Sequence, residues 1–144
     1  MIVADTNILV YLLVQGERSA GARALREADG DWKVPPLWRQ EFANTLKKGF
    51  RHGILDDATA REIYADALEL FKPGEVEGPD FEALELSLRL DMSAYDAAFL
   101  ALAEKLGVPL VTEDKPLIGK SGGKAMDVAT YLRKLGHPTA HPDN

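Results

Sequence analysis

Two acidic residues of this chain follow short apolar segments that are typical of buried strands. Asp5 comes directly after the segment 2–4, and Asp114 comes shortly after the segment 108–111. Open parallel sheets bind their ligands at the carboxyl ends of the strands, so both carboxylates are expected at that edge of a sheet. An Asp in such a turn also serves as a helix N-cap, and this second interpretation of Asp5 stays open.

Two further acidic residues lie in segments with helical periodicity. Asp96 has apolar residues at positions i+3, i+4 and i+7, so its carboxylate falls on the face expected to be buried. An unpaired buried carboxylate costs several kcal/mol and requires a cation, hydrogen bonds or a proton. Its place in the first turn offsets part of that cost, which leaves a purely structural Asp as the alternative. Glu41 lies beside the apolar row Trp38, Phe42 and Leu46, where a side chain that reaches to solvent is an equal interpretation.

Carboxylates gathered at one edge of a sheet would repel one another, and divalent cations would relieve that repulsion. A ligand set made only of oxygen atoms favours Mg²⁺ or Mn²⁺ over zinc. Such a site suits the hydrolysis of phosphodiester bonds, because the metal activates water and stabilises the charge that develops on the phosphate. The chain contains no cysteine and no defensible Ser/His/Asp pattern, which agrees with a reaction that needs no covalent nucleophile.

Four residues are therefore predicted to be both catalytic and metal-ligating: Asp5, Glu41, Asp96 and Asp114. Asp5 and Asp96 are expected as the primary ligands, and the other two as ligands that bind directly or through water. Asn7 and Thr112 are expected to orient the carboxylates.

Basic residues follow two of these acids along the chain. Lys47, Lys48 and Arg51 lie further along the helix that carries Glu41, and Lys115, Lys120 and Lys124 follow the last acid. Either group is able to steer a polyanion toward the acidic pocket as a rim of positive charge. For each residue taken singly, a solvated helix face or an ordinary surface loop explains the charge equally well.

Short strands alternate with helices, and this order predicts right-handed crossovers and a parallel sheet. Strands are predicted at 2–4, 32–34, 75–77, 108–111 and 126–128. Helices are predicted at 8–13, 18–28, 37–52, 56–71, 80–90, 93–106 and 129–135. The helix at 80–90 is expected to bury Phe81, Leu84 and Leu88, and the stretch 115–124 is expected to be a mobile loop. The predicted fold class is a three-layer α/β fold, in which about six or seven helices wrap a central parallel sheet of four to five short strands.

The composition is that of an ordinary soluble domain. The chain has 144 residues, which predicts one domain at 1–135 and a flexible C-terminal tail at 136–144. Its net charge of −6 argues against non-specific binding of nucleic acid through overall charge, although it does not exclude a nucleic-acid substrate. The absence of cysteine excludes a disulfide framework and a thiolate metal site. No apolar run is long enough to span a bilayer and no signal peptide is recognised, so the protein is expected in the cytoplasm.

The segments 1–10, 93–103 and 110–117, together with Glu41 between them, resemble the PIN domain in their order and spacing. Within that family they resemble the VapC-like toxins of toxin–antitoxin pairs. The resemblance spans 1 to about 135 and implies an endoribonuclease dependent on Mg²⁺ or Mn²⁺. It also implies a homodimer and a small cognate antitoxin that inserts into the acidic groove. Carried over to this chain, the family's acidic residues are Asp5, Glu41, Asp96 and Asp114, with Thr112 in support.

Three alternatives remain open at this stage. A phosphatase of the haloacid dehalogenase kind also begins with a strand and an aspartate, but it needs a second Asp where Asn7 stands, and it would hydrolyse a general phosphomonoester. An inactive PIN-like module that binds RNA or protein would never cleave RNA. An RNA-processing PIN nuclease would cleave RNA without an antitoxin-sized reading frame immediately upstream.

Overall fold

The computed structural model describes residues 1–136 and contains a parallel sheet of four short strands. The strands are β1 (Ile2–Ala4), β2 (Trp32–Lys33), β3 (Leu110–Val111) and β4 (Ala125–Met126), in the spatial order β2-β1-β3-β4. Val3 is paired with Lys33 on one side and with Leu110 on the other. All three residues of β1 are fully buried, as a continuous apolar strand in the centre of a parallel sheet should be.

Eight α-helices accompany this sheet within residues 1–136, and most of them agree with the predicted segments. They are α1 (Thr6–Leu13), α2 (Ser19–Ala28), α3 (Trp38–Arg51), α4 (Asp57–Phe71), α5 (Asp80–Leu90), α6 (Ala94–Leu106), α7 (Lys115–Lys120) and α8 (Val128–Lys134). A short 3₁₀-helix, Lys72–Gly74, follows α4. The α/β class and the parallel sheet are confirmed, and α7 raises the helix count above the six or seven expected.

Helix α6 is the most deeply buried helix and packs against β1 and β3. Ala97, Ala101 and Ala103 are buried along it, and such small side chains allow a helix to lie close to a sheet. Trp38 and Phe42 of α3 are also fully buried, and the ring of Trp38 packs edge-on against the ring of Phe71. These two helices therefore hold their positions relative to the sheet through the central core, and both carry an acidic residue in the first turn.

The predicted strand at 75–77 forms only an isolated parallel bridge between Val34 and Glu75. The N–H of Val34 donates to the carbonyl oxygen of Gly74, and the N–H of Val76 donates to that of Val34. The segment therefore extends the sheet beside β2 by two hydrogen bonds without forming a full ladder.

The predicted mobile loop at 115–124 is wrong over its first half, which forms α7. The side chain of Asp114 caps this helix by accepting a hydrogen bond from the N–H of Leu117, and Pro116 suits a first helical turn. Leu117 is buried and anchors the helix to the core. The glycines of the stretch had suggested a loop, but the cap and the one apolar anchor decide the conformation.

The predicted inward face of α5 is also wrong. Phe81, Leu84 and Leu88 are 68%, 50% and 76% exposed, whereas Ala83 and Leu86 face the core. Apolar residues occur on two sides of this helix, and α5 packs against α6 through the side that carries the small Ala83. The larger residues are left on the surface as an apolar stripe.

The C-terminal tail and membrane-spanning segments are the last two features for which expectations came from the sequence. Apart from its first residue, the predicted tail at 136–144 lies outside the described residues. Across 1–136, every helix is too short or too polar to cross a lipid bilayer.

Candidate functional site

Four elements of the fold deliver one carboxylate each to a single cavity of about 330 Å³. Asp5 follows β1, and Asp114 follows β3, the neighbouring strand. Glu41 and Asp96 lie in the first turns of α3 and α6. The remaining lining residues come from α1 and α3: Thr6, Asn7, Val10, Tyr11 and Thr45. The four acids that the sequence places far apart are thus neighbours at the carboxyl edge of the sheet.

Asp5 is the most enclosed of the four, with 7% of its surface exposed. Its Oδ1 accepts a hydrogen bond from the N–H of Thr6 at 2.8 Å, and its Oδ2 accepts one from Oγ1 of Thr112 at 2.7 Å. The pKa of Asp5 is raised to about 6, with burial as the largest cause; the hydrogen bonds from Thr112 and Thr6 oppose this rise, and the charges of Glu41 and Asp96 add to it. Asp5 is therefore both the N-cap of α1, as the structural interpretation proposed, and a member of the acidic cluster.

Thr112 is fully buried and joins the two acidic turns through its hydroxyl group. Besides donating to Asp5, its Oγ1 accepts hydrogen bonds from Nδ2 of Asn7 at 3.2 Å and from the N–H of Asp114 at 3.1 Å. One donor and two acceptor positions are thereby all used. Oδ1 of Asn7 in turn accepts a longer hydrogen bond from the N–H of Glu113, at 3.4 Å. Both residues predicted to orient the carboxylates are in a position to do so.

Glu41 and Asp96 are half-buried, and both carboxyl groups have raised pKa values. Burial is the larger cause for each; Asp96 raises the pKa of Glu41, and Asp114 raises that of Asp96. Opposing this, Oγ1 of Thr6 donates to Oε1 of Glu41 at 2.7 Å. The pKa values of these carboxyl groups therefore rise first because burial disfavours their charged forms, and second because neighbouring carboxylates repel one another.

The donor set of this cavity consists of carboxylate, hydroxyl and amide oxygens, which are the ligands that Mg²⁺ and Mn²⁺ prefer. The repulsion between neighbouring carboxylates is a second property that fits a divalent cation. Within 1–136, no three Asp, Glu, His or Cys side chains stand close enough together to form a ready-made metal site. A bound ion would therefore have to draw the carboxylates nearer to one another than they stand.

A second cavity, of about 460 Å³, adjoins the first and shares Asp96 and Asp114 with it. Its other lining residues are Asp91, Met92, Ser93, Pro116, Leu117 and Lys120. Nζ of Lys120 donates to the carbonyl oxygen of Asp91 at 2.5 Å. The sequence placed Lys120 in a mobile stretch, and only the formation of α7 brings it to this wall.

Of the basic residues predicted to steer a polyanion, Lys120 alone lines one of the two acidic cavities, as far as residues 1–136 are concerned. Lys48, Arg51 and Lys115 are exposed and line neither one, while Lys47 lines a separate groove. That groove, of about 460 Å³, lies between α3 and α4 and is mostly apolar. It is lined by Ala43, Leu46, Lys47, Phe50, Asp57, Ala60, Arg61, Tyr64, Ala65 and Leu68.

Four side chains of the first cavity were not predicted from the sequence: Thr6, Val10, Tyr11 and Thr45. Tyr11 lies one helical turn after Asn7, so helical spacing alone was a usable signal for it. The Thr6–Glu41 hydrogen bond joins residues 35 positions apart, and no local pattern indicates such a contact.

Comparisons with known proteins agree with this fold. The family model described as PIN domain matches residues 2–119. The chain is 35% identical over 123 residues to Ribonuclease VapC3 from Pyrobaculum aerophilum, which covers 83% of this chain and 93% of the relative. It is 37% identical over 95 residues to Exonuclease VapC9 from the same organism, covering 66% of this chain and 70% of the relative. A solved structure, the crystal structure of PAE2754 from Pyrobaculum aerophilum, superimposes with a TM-score of 0.72 at 28% identity, over 94% of this chain and 88% of that one.

Proposed function

The chain belongs to the PIN domain family, and we propose that it is a VapC-like endoribonuclease that hydrolyses RNA phosphodiester bonds with Mg²⁺ or Mn²⁺. The observation that carries this proposal is the meeting of Asp5, Glu41, Asp96 and Asp114 in one cavity. The match to the family model over most of the chain leaves no support for a phosphatase of the haloacid dehalogenase kind. We take residues 1–135 as the nuclease domain and the cytoplasm, where RNA substrates occur, as its compartment.

In this proposal Asp5 and Asp96 are the primary metal ligands, and Glu41 and Asp114 complete the ligand set directly or through water. When bound, the ion activates a water molecule and offsets the charge that develops on the phosphate. Thr112 and Asn7 hold the turns after β1 and β3 in place, so that their carboxylates stay aimed at the cavity.

The names of the two relatives indicate different modes of action, because one relative is named a ribonuclease and the other an exonuclease. A linear RNA and a covalently closed circular RNA, incubated with the purified protein and Mn²⁺, separate the two modes. We expect cleavage of both substrates, and no cleavage of either in EDTA. Cleavage of the linear RNA alone would show an exonuclease, and intact RNA throughout would favour an inactive binding module.

We also propose that the nuclease is the toxin of a toxin–antitoxin pair, inhibited by a small protein that blocks the acidic cavity. Support comes from the apolar groove between α3 and α4, because α3 also carries Glu41 and so connects the groove to the acids. A partner that lies in the groove has the acidic cavity within reach.

The test is co-expression with any small protein encoded immediately upstream, followed by purification through a tag on that protein. Phe50, which is 47% exposed in the groove, becomes Asp in the test variant. Leu70 is 40% exposed on α4 outside the groove, so Leu70→Asp is the matched control. We expect Phe50→Asp to lose the partner and keep RNA cleavage, while the control keeps both. Without an upstream partner, an RNA-processing nuclease is the better description.

We propose, finally, that two copies of the chain pair through the exposed stripe of α5. Phe81, Leu84 and Leu88 lie at positions i, i+3 and i+7, which puts them on one face of the helix. Three large apolar side chains that stand at least half exposed are unusual on the surface of a monomer and mark an interaction surface.

A further inference from the structure

The two acidic cavities form a single cleft, because Asp96 and Asp114 line both of them. Tyr11 and Thr45 line only the first cavity, and Lys120 and the turn at 91–93 line only the second. A substrate longer than one nucleotide therefore has a path on both sides of the carboxylates.

Lys120 is the one Lys or Arg among the residues that line this cleft, as far as residues 1–136 are concerned. The end of α7 and the hydrogen bond to the carbonyl oxygen of Asp91 hold its ammonium group at the wall. Asp91 itself has a φ of +53°, a left-handed conformation that turns the chain from α5 into α6. A phosphate oxygen would take the place of that carbonyl oxygen with a stronger, charge-assisted hydrogen bond.

Tyr11 is the one aromatic side chain of the cleft within the same residues, and it is half-buried. The guanidinium of Arg18 lies over its ring, 5.7 Å from the centroid. Arg18 is in turn fixed by Oε1 of Glu113 at 2.6 Å, while Oε2 of Glu113 accepts a hydrogen bond from the N–H of Val128. The ring is thereby supported on one side and available to the cleft, as a stacking platform for a base should be.

We propose that single-stranded RNA crosses the acidic site along this cleft, with a backbone phosphate held by Lys120 and a base stacked on Tyr11. This inference rests on the proposed ribonuclease function and names how that site holds its substrate. A single strand is required because a stacked, paired base does not offer its face to a side chain.

The salt dependence of RNA binding separates the two contacts. A labelled single-stranded RNA is titrated with each protein variant in a Ca²⁺ buffer at several KCl concentrations, and log Kd is plotted against log [KCl]. Loss of one phosphate contact should reduce the slope for Lys120→Ala by about 0.7, whereas Lys120→Arg should keep it. Tyr11→Ala should weaken binding by about 5- to 150-fold at every salt concentration with an unchanged slope, and Tyr11→Phe should bind like the wild type.

Lys124→Ala is the matched control, since Lys124 pairs with Glu104 and lines neither cavity. An unchanged slope for Lys120→Ala, or equal binding of a fully paired RNA duplex, contradicts the inference. If the wild type cleaves RNA in Mn²⁺ while these variants bind normally, the inference alone is wrong. If the wild type neither binds nor cleaves RNA, the proposed function fails and the inference fails with it.

Discussion

The hydroxyl group of Thr112 makes three hydrogen bonds, and together they tie Asp5, Asn7 and the start of the Asp114 turn into one unit. Because Thr112 is fully buried, none of these partners can be replaced by bulk water. This one oxygen atom therefore links the two strand-end turns through side chains, in addition to the backbone pairing of β1 with β3.

Replacing Thr112 by Val keeps the shape of the side chain and removes that oxygen. Residues that orient metal ligands typically contribute 10- to 100-fold to metal affinity or activity, so we expect RNA cleavage to fall by about that factor. Thr112→Ser retains the hydroxyl group and should retain most of the activity. The check is the cleavage rate as a function of Mn²⁺ concentration for the three proteins; equal curves for Val and wild type would show that the hydroxyl does not position the site.

Asp96 stands half-buried beside Asp114, and its charge is disfavoured by burial and by that neighbour. Asp96→Asn removes this charge, so without metal the variant should be more stable by on the order of 1 kcal/mol, or about 2–4 °C in melting temperature. Saturating Mn²⁺ should stabilise the wild type by about 2–3 kcal/mol at 100 times its Kd, and the variant much less. Thermal melts with and without Mn²⁺ test both; a variant that melts below the wild type in EDTA and gains equally from Mn²⁺ contradicts the account.

Helix α3 carries Glu41, and a charged cluster fixes the beginning of this helix against the segment after α4. Glu75 accepts hydrogen bonds from Nε1 of Trp38 at 2.8 Å and from Nε and Nη2 of Arg39 at 2.6 and 2.5 Å. The hydrogen bonds from Arg39 lower the pKa of Glu75 most, and the hydrogen bond from Trp38 and the charge of Arg39 lower it further. Together they outweigh burial, so the pKa of Glu75 lies below its usual range. The element that positions one acid of the cavity is thus anchored by another acid outside it.

Glu75→Gln should lower the free energy of unfolding at neutral pH by about 1–3 kcal/mol, because three N–H donors of Trp38 and Arg39 lose a charged acceptor. A depressed folded-state pKa stabilises the protein above the unfolded value, about 4.3, and the benefit is lost as the pH falls through the folded value. The difference between wild type and variant should therefore shrink below about pH 4.3. Urea unfolding between pH 7 and pH 3 measures it, and a difference that stays constant over this range would exclude the charge of Glu75 as its cause.

The exposed stripe of α5 predicts the behaviour of the protein in solution. Leu88→Asp, at a residue 76% exposed, places a charge in the proposed interface, and Ile54→Asp, at a residue 74% exposed in the turn after α3, is the control. We expect light scattering to give two chains of 15.8 kDa for the wild type and the control, and one chain for Leu88→Asp. A monomeric wild type, or a dimeric Leu88→Asp, would remove α5 from the interface.

Patterns within single elements were sufficient to predict where the acids lie. A strand followed by a polar turn placed Asp5 and Asp114, and helical spacing placed Asp96. The prediction of the buried face of α5 was wrong because Phe81, Leu84 and Leu88 are as apolar as a core row, whereas the face that is buried carries Ala83 and Leu86. The contact between Thr112 and Asp5 spans 107 positions, so it follows from strand order, which local patterns do not encode.

Over the whole molecule, the net charge of −6 and a proposed RNA substrate are compatible because charge placement matters more than the total. The acidic cluster lies inside the cleft, where a divalent cation would offset it, and Lys120 lies at its wall. The other basic residues that sequence order had favoured lie outside the cleft, and Lys47 lines the groove between α3 and α4. Composition alone indicated an ordinary globular domain. The placement of Lys120 at the cleft depends on the formation of α7, which the composition does not indicate.

The central claim is that four acids act as one metal-dependent nuclease site. The most direct measurement is the RNA cleavage rate in Mn²⁺ for Asp5→Asn, Glu41→Gln, Asp96→Asn and Asp114→Asn, beside the exposed control Asp66→Asn on α4. The account predicts that each cavity variant stays folded and loses about 100-fold or more, while the control cleaves like the wild type and EDTA abolishes cleavage. Wild-type rates in Asp5→Asn or Asp96→Asn, or cleavage that persists in EDTA, would contradict it.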